Sequence, residues 1–327
     1  MSRRAWISFA FLAAFWGASY LFIKVALDDG VPPVGIVFAR TALAALVLLP
    51  LAARMGAFAG LRGRFGPVAL LAVLQVAAPF MLITLGEREL SSSLTGILVA
   101  TAPIFTFLLA FTLEGEERAS RLSLAGVGIG ILGVAVLLGV DAGGGTAALV
   151  GGLMVILASF GYAAGSWYLK RNVGDIQPIG LVASTMAAAA VLMLPFALVD
   201  APPSLPSLDA AASIVALGVF GTGISFVLFY SLIASEGPAR ASLVAYVAPG
   251  FSVFYGVLLL DEAFTAVTAA GLVLIVGGSW LAAEGRLPWQ SRPAEAEREP
   301  QAAAATVPDA PAADGVRAPA LAGKNAA

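Results

Sequence analysis

Cysteine and histidine are both missing from the 327 residues. Their absence excludes disulfides, thiolate chemistry, imidazole metal sites and histidine-based acid/base catalysis. Charge is also scarce. Asp, Glu, Lys and Arg make up 12% of the chain, about half the share found in a soluble domain. The net charge of −2 is too small to argue for nucleic-acid binding. Acidic residues are absent from one particular place: none of them falls inside a long apolar run, and all map to loops, helix ends or the tail. This disfavours proton antiport centred on an intramembrane carboxylate. With no histidine or cysteine, it also leaves no constellation for an intramembrane enzyme, so the expectation is a non-enzyme without cofactor or metal.

What the chain has in abundance is apolar residues, at 60%, with a mean hydropathy of +0.94. Runs of about 20 apolar residues recur, each long enough to cross about 30 Å of hydrocarbon. They predict an all-α membrane protein with ten spans: 6–27, 33–53, 66–86, 92–113, 121–140, 148–169, 178–199, 211–233, 240–260 and 265–284. Arg3 and Arg4 ahead of the first run suggest a secretory signal, but the run exceeds a typical signal core and ends in Lys24 and Asp28-Asp29-Gly30, so it reads as the first span. Residues 286–327 are rich in Ala, Pro and charge; they cannot build a core and predict a disordered cytoplasmic tail.

Basic residues set the expected orientation. With the N-terminus inside, the inner loops hold Arg3, Arg4, Arg54, Arg62, Arg64, Arg118, Arg121, Lys170, Arg171 and Arg240, and the outer side holds Lys24 and Arg88. Both termini are therefore expected in the cytoplasm.

The chain also repeats itself. At an offset of 146, Lys24 matches Lys170, Asp29 Asp175, Pro32 Pro178, Phe80 Phe226, Ala102-Pro103 Ala248-Pro249, and Glu116 Glu262. Five spans are an odd number of crossings, so the second copy must enter the membrane from the other side. The expected units are 6–140 and 147–285, two inverted halves of the kind that alternate access around a midplane site.

The segments Phe15-Trp16-Gly17-Ala18-Ser19 with Lys24, Phe38-Ala39-Arg40 with Ala44-Ala45-Leu46, Ala102-Pro103 with Glu116, and Ala248-Pro249 with Asp261-Glu262-Ala263-Phe264-Thr265 resemble the EamA family of the drug/metabolite transporter superfamily. The likeness runs over about residues 6 to 284. It implies two inverted EamA units, a multi-pass place in the cell inner membrane, and secondary transport of small metabolites such as amino acids, often as efflux. Lipid-carrier flippases and drug exporters belong to the same superfamily; a non-transport membrane scaffold is the remaining alternative. The halves diverge at Tyr162, opposite Trp16, and at Met186, opposite Arg40.

Arg40 lies well inside the second span, where a charge must face protein or a wet cavity. Its guanidinium either attracts a carboxylate or bonds to its surroundings and fixes packing. The other candidates for substrate contact are uncharged: Trp16, Gln75, Thr101, Tyr162, Trp167, Tyr230 and Tyr246. As a set they suit a neutral or zwitterionic solute. Pro103 and Pro249 predict paired hinges or cavity-lining breaks. Gly128-Ile-Gly130-Ile-Leu-Gly133 matches a dinucleotide fingerprint in letters only, because no strand precedes it. Gly126 and Gly130 instead form a flat helix face for close packing, against this chain or a second copy. The expected partners are a small-molecule substrate and the bilayer. A homodimer is compatible with the sequence, and a monomer suffices.

Overall fold

Every apolar run becomes a helix in the computed structural model, which describes residues 2–113, 120–141, 145–202, 204–236 and 243–285. Glu116, Arg118, Arg240 and the tail from 286 lie outside the described residues. The helices are α1 (Arg3–Asp28), α2 (Pro33–Arg54), α3 (Phe65–Gly86), α4 (Ser92–Leu113), α5 (Arg121–Gly139), α6 (Thr146–Asn172), α7 (Pro178–Val199), α8 (Leu208–Phe229), α9 (Val244–Leu259) and α10 (Ala266–Glu284). By length and composition nine of these can cross a membrane; α9, at 16 residues, is shorter. No strand occurs among the described residues.

The starts of the helices follow from local chemistry. Ser2, Ser91, Ser120, Ser207 and Thr265 each accept a hydrogen bond from a first-turn amide. This satisfies a donor that has no partner within the helix. Pro33 and Pro178 open α2 and α7, where a missing N–H costs nothing. Gly285 ends α10 in the left-handed region at φ 61°.

Packing is dominated by contacts between the two halves of the chain. The largest are α5 on α10, α2 on α7, and α1 on α9; α6 packs on α3 and α4, and α1 on α8. Between α5 and α10 the backbones nearly touch. A Cβ added at Gly278 would lie 2.7 Å from the Gly126 carbonyl and 2.8 Å from the Gly130 Cα. The flat face of Gly126 therefore meets a helix of the same chain. Between α2 and α7, the small residues Ala44, Ala183 and Ala189 interleave with Leu48 and Met186, all fully buried.

At the end of the bundle where α1 finishes, polar links cross between the halves. Asp29 accepts from the Ser207 amide at 2.9 Å, at the start of α8. Asp261 adopts a left-handed conformation at φ 53°, which short polar side chains tolerate. The turn brings the Glu262 carboxylate back onto the first turn of α4, where it accepts from the Ser92 amide at 2.6 Å and the Ser93 amide at 3.0 Å, and from the Ser93 hydroxyl. A carboxylate on exposed amides at a helix start is favourable through both hydrogen bonding and the helix dipole. Glu262→Ala should lower stability by about 1–2 kcal/mol, the cost of a lost cap. It would be measured as a fall in the thermal midpoint of the detergent-purified protein, with Glu262→Gln falling less.

At the opposite end, Arg64 donates to Asp175, the repeat mate of Asp29. The hydrogen bond from Arg64 holds the Asp175 carboxyl below the usual carboxylate range. That link is complete at neutral pH and is lost only as acidification passes the lowered value.

Candidate functional site

Two helices lose their regularity around the centre of the bundle, for reasons visible in the sequence. Pro79 cannot donate a helical hydrogen bond, and α3 widens into a π-helical stretch over Val73–Ala77 that contains Gln75. In α8 the glycine-rich run Leu217–Ile224 is also π-helical. There the Thr222 hydroxyl donates to the Leu217 carbonyl at 3.0 Å and the Ser225 hydroxyl to the Phe220 carbonyl at 2.6 Å, each five residues back. The two stretches occupy matching positions at the 146-residue offset, and π-bulges are frequent at functional sites.

The fourth helix breaks at Pro103. Its regular turns stop at Val99 and resume at Ala102. The carbonyls freed by the break find hydroxyl donors: Ser279 on α10 reaches Ala100 at 2.6 Å, and Ser159 on α6 reaches Val99 at 3.4 Å. Irregular backbone at membrane depth requires such partners. Pro249 behaves differently, because α9 continues unbroken through it.

These features surround a cavity of about 560 Å³, within the range of small-molecule sites. Trp16, Arg40, Gln75, Tyr162 and Tyr246 line it, together with Pro103 and Pro249. At one end its walls include the exposed residues Thr106, Ser166 and Ala283. At the other they are Ile23, Ile83 and Arg40, which are 1%, 3% and 5% exposed. The cavity is thus open towards the end where α10 finishes and closed towards the end where α1 finishes.

Arg40 projects into the closed half. Its Cζ sits 3.6 Å from the centroid of the Phe80 ring, and its Nη2 donates to the Thr222 hydroxyl at 3.2 Å. A cation over an aromatic face is stabilised by the ring quadrupole. No carboxylate among the described residues forms an ion pair with it. Gln75 has the complementary deficiency: its buried amide oxygen has no hydrogen-bond partner. Gly165 on α6 makes room for this amide, since an added Cβ there would strike it. Aromatic rings form the rest of the wall; Trp16 packs 5.2 Å from Phe229 and 6.4 Å from Phe226, and Tyr246 lies 5.4 Å from Trp280.

Two sequence candidates, Thr101 and Trp167, are not brought to the cavity. Thr101 is buried at the α4 break and donates to the Leu98 carbonyl at 2.7 Å. Trp167 is one residue past Ser166, about 100° around the helix from the lining face. Its ring lies instead beneath Arg171, 4.7 Å from the guanidinium carbon. The side chain of Tyr230 falls outside the described residues. Ser19, Tyr20, Phe80, Phe226 and Glu284 line the cavity but were not among the candidates. Helical spacing from Trp16 points to Ser19 and Tyr20; nothing in the sequence marks Glu284.

A second difference concerns acid placement. Glu87 sits just past α3, where the sequence gives a helix end, yet it is fully buried, while its neighbours Arg88 and Glu89 are exposed. The cause is the close approach of α3 and α6: the Gly86 Cα side faces the Gly151 carbonyl and Val155 with no room for a Cβ. This draws the α3–α4 turn, including Leu90, Ser92 and Ser93, into the protein.

A polytopic apolar bundle with a one-sided, solute-sized cavity at its centre defines a multi-pass membrane protein built to hold a small molecule. Residues 4–139 and 149–283 both match the EamA-like transporter family. The chain belongs to that family. It is 28% identical to the uncharacterized inner membrane transporter YedA of Escherichia coli, over 85% of this chain and 90% of that one. It is 27% identical to an uncharacterized transporter of Archaeoglobus fulgidus, over 86% of this chain and all of that one. It is 25% identical to a probable amino-acid metabolite efflux pump of Escherichia coli, over 86% and 95%. A crystal structure of another protein shares the fold with a TM-score of 0.63 at 21% identity, over 88% of this chain and 100% of that one.

Proposed function

We propose that the protein is a secondary transporter of the cell inner membrane that exports neutral amino acids or similar carboxylate-bearing metabolites. The observation that carries this reading is Arg40: a buried guanidinium on the wall of a solute-sized cavity, held by an aromatic ring and one hydroxyl, with no ion-paired acid among the described residues. A substrate carboxylate supplies the missing charge through the planar guanidinium fork. The unpartnered Gln75 oxygen offers an acceptor to an ammonium group, and Trp16, Phe80, Tyr162, Phe226 and Phe229 present an apolar wall to a side chain. The efflux pump among the relatives supports the same class of cargo.

The two repeats, 6–140 and 147–285, are related by inversion and move against each other around this site. Reciprocal contacts support the inversion. First-half α1 packs on α8 and α9, and its counterpart α6 packs on α3 and α4; Asp29 bonds the start of α8, and Asp175 bonds Arg64 at the start of α3. With the basic loops inside, both termini are cytoplasmic and the cavity as seen here opens inward. One chain holds the whole site, so a monomer suffices.

Proteoliposomes carrying the purified protein and loaded with radiolabelled phenylalanine should release label when unlabelled phenylalanine is added outside, and empty liposomes should not. If none of the twenty amino acids exchanges through correctly folded protein, the amino-acid reading is wrong.

A further inference from the structure

Glu87 has no exposed surface, and both of its carboxylate oxygens lack a hydrogen-bond partner. An ionised carboxylate in such a place is very costly. From α1, Lys24 is in range, but its amine is engaged elsewhere: it pairs with Asp28 at 3.6 Å and donates to the main-chain carbonyl of Glu87 at 3.4 Å. From the loop before α10, Glu262 adds a like charge, and its own hydrogen bonds go to α4. From α2, Arg40 contributes attraction from the cavity side, and from α6 the facing residues Gly151 and Val155 bring no charge. On its own turn Arg88 and Glu89 face outward. Among the described residues neither Lys24 nor Arg40 hydrogen-bonds or ion-pairs with the Glu87 carboxylate, and a proton is the partner that its buried oxygens lack. Its position matters as well. One helical turn before it, Ile83 lines the closed end of the cavity, as does Tyr20 on α1.

We propose that Glu87 is a proton-binding site: its carboxyl must take up a proton before this end of the bundle can close, so that each closure carries one proton into the protein. The balance is an acid–base one. Water reaches Glu87 when this end opens, the proton leaves to that side and a carboxylate remains; a proton from the same side restores the neutral acid and permits closure. The open form is then an ordinary solvated carboxylate, while burial raises the closed form's carboxyl well above that range. The closed state binds more protons, so acid favours it and alkali opposes it.

This rests on the alternating-access reading only for the existence of an open form. The test needs no substrate. The cysteine-free chain accepts nitroxide labels at Glu89→Cys and Leu208→Cys, two exposed positions at the closing end, one from each half. Electron–electron distance distributions are then recorded against pH in the full-length protein. The ratio of closed to open populations should fall by up to about tenfold per pH unit above the solvated value. Glu87→Gln, which mimics the neutral acid, should stay closed at every pH. Populations that exchange but ignore pH, or a pH slope that survives in Glu87→Gln, would overturn the proposal while leaving alternation intact. A protein that remained closed at this end at all pH values would overturn both.

Discussion

Arg40→Ala should weaken amino-acid exchange by about tenfold to a hundredfold, the equivalent of the 1.5–3 kcal/mol carried by a hydrogen bond to a charged group. Its melting temperature should stay level or rise. These two expectations together separate a substrate role from a packing role. A buried charge that stabilised the fold would leave a partner behind when removed, and the protein would lose several kcal/mol. Arg40 forms no ion pair among the described residues; its contacts are the face of Phe80 and the Thr222 hydroxyl, which already donates to Leu217. Truncation therefore removes a charge that no ion pair holds from the interior, while a carboxylate ligand loses the buried cation on the described cavity wall. Arg40→Lys should recover only part of the activity, because an ammonium cannot match a carboxylate with two parallel bonds or lie flat on Phe80. A fall in melting temperature together with unchanged exchange kinetics would refute this assignment.

Gly278→Val should separate α5 from α10 and sharply reduce the yield of folded protein. The atoms that a Cβ would meet belong to the backbone at Gly126 and Gly130, and a backbone cannot rotate away as a side chain can. Overpacking of this kind costs about 1–3 kcal/mol or more. Here the displaced unit is a whole helix pair, whose association in lipid depends on close van der Waals approach. Gly128 provides the control. It stands in the same glycine-rich string, but an added Cβ there meets nothing within 4 Å. Gly128→Ala should be silent or gain a little from reduced backbone entropy in the unfolded chain. Thermal stability of both variants by size-exclusion chromatography would check the contrast; equal behaviour would refute the packing account.

The helices were legible in the sequence to within about four residues at each end, and several far more closely. Expected spans at 33–53, 92–113 and 178–199 compare with helices Pro33–Arg54, Ser92–Leu113 and Pro178–Val199. The physical reason is that bilayer thickness fixes the length of an apolar run, and proline or a hydroxyl cap fixes where the helix begins. Much of the cavity was also legible. Trp16, Arg40, Gln75, Tyr162 and Tyr246 were singled out because polar and aromatic groups at depth need a reason to be there. The prolines split: Pro103 breaks its helix and Pro249 does not, although their sequence contexts match. The difference lies in the hydroxyls of Ser159 and Ser279 that receive the freed carbonyls of α4, and these come from other helices.

Two further matters were decided only in three dimensions. Which face of a helix lines the cavity depends on rotation about its axis, and that is set by neighbours: Ser166 faces the space while Trp167 turns under Arg171. Burial of a charge at a helix end depends on how closely the next helix approaches. Glu87 and Glu89 are two letters apart in a turn that reads as exposed, yet the contact of Gly86 with Gly151 buries the first and leaves the second in the open. The sequence by itself determined the number of apolar helices, their limits and the repeat, because these depend on composition and local hydrogen bonding. The tertiary structure alone decided where the unpaired carboxyl and the unpaired guanidinium stand relative to one cavity, because that depends on distances between residues far apart in the chain.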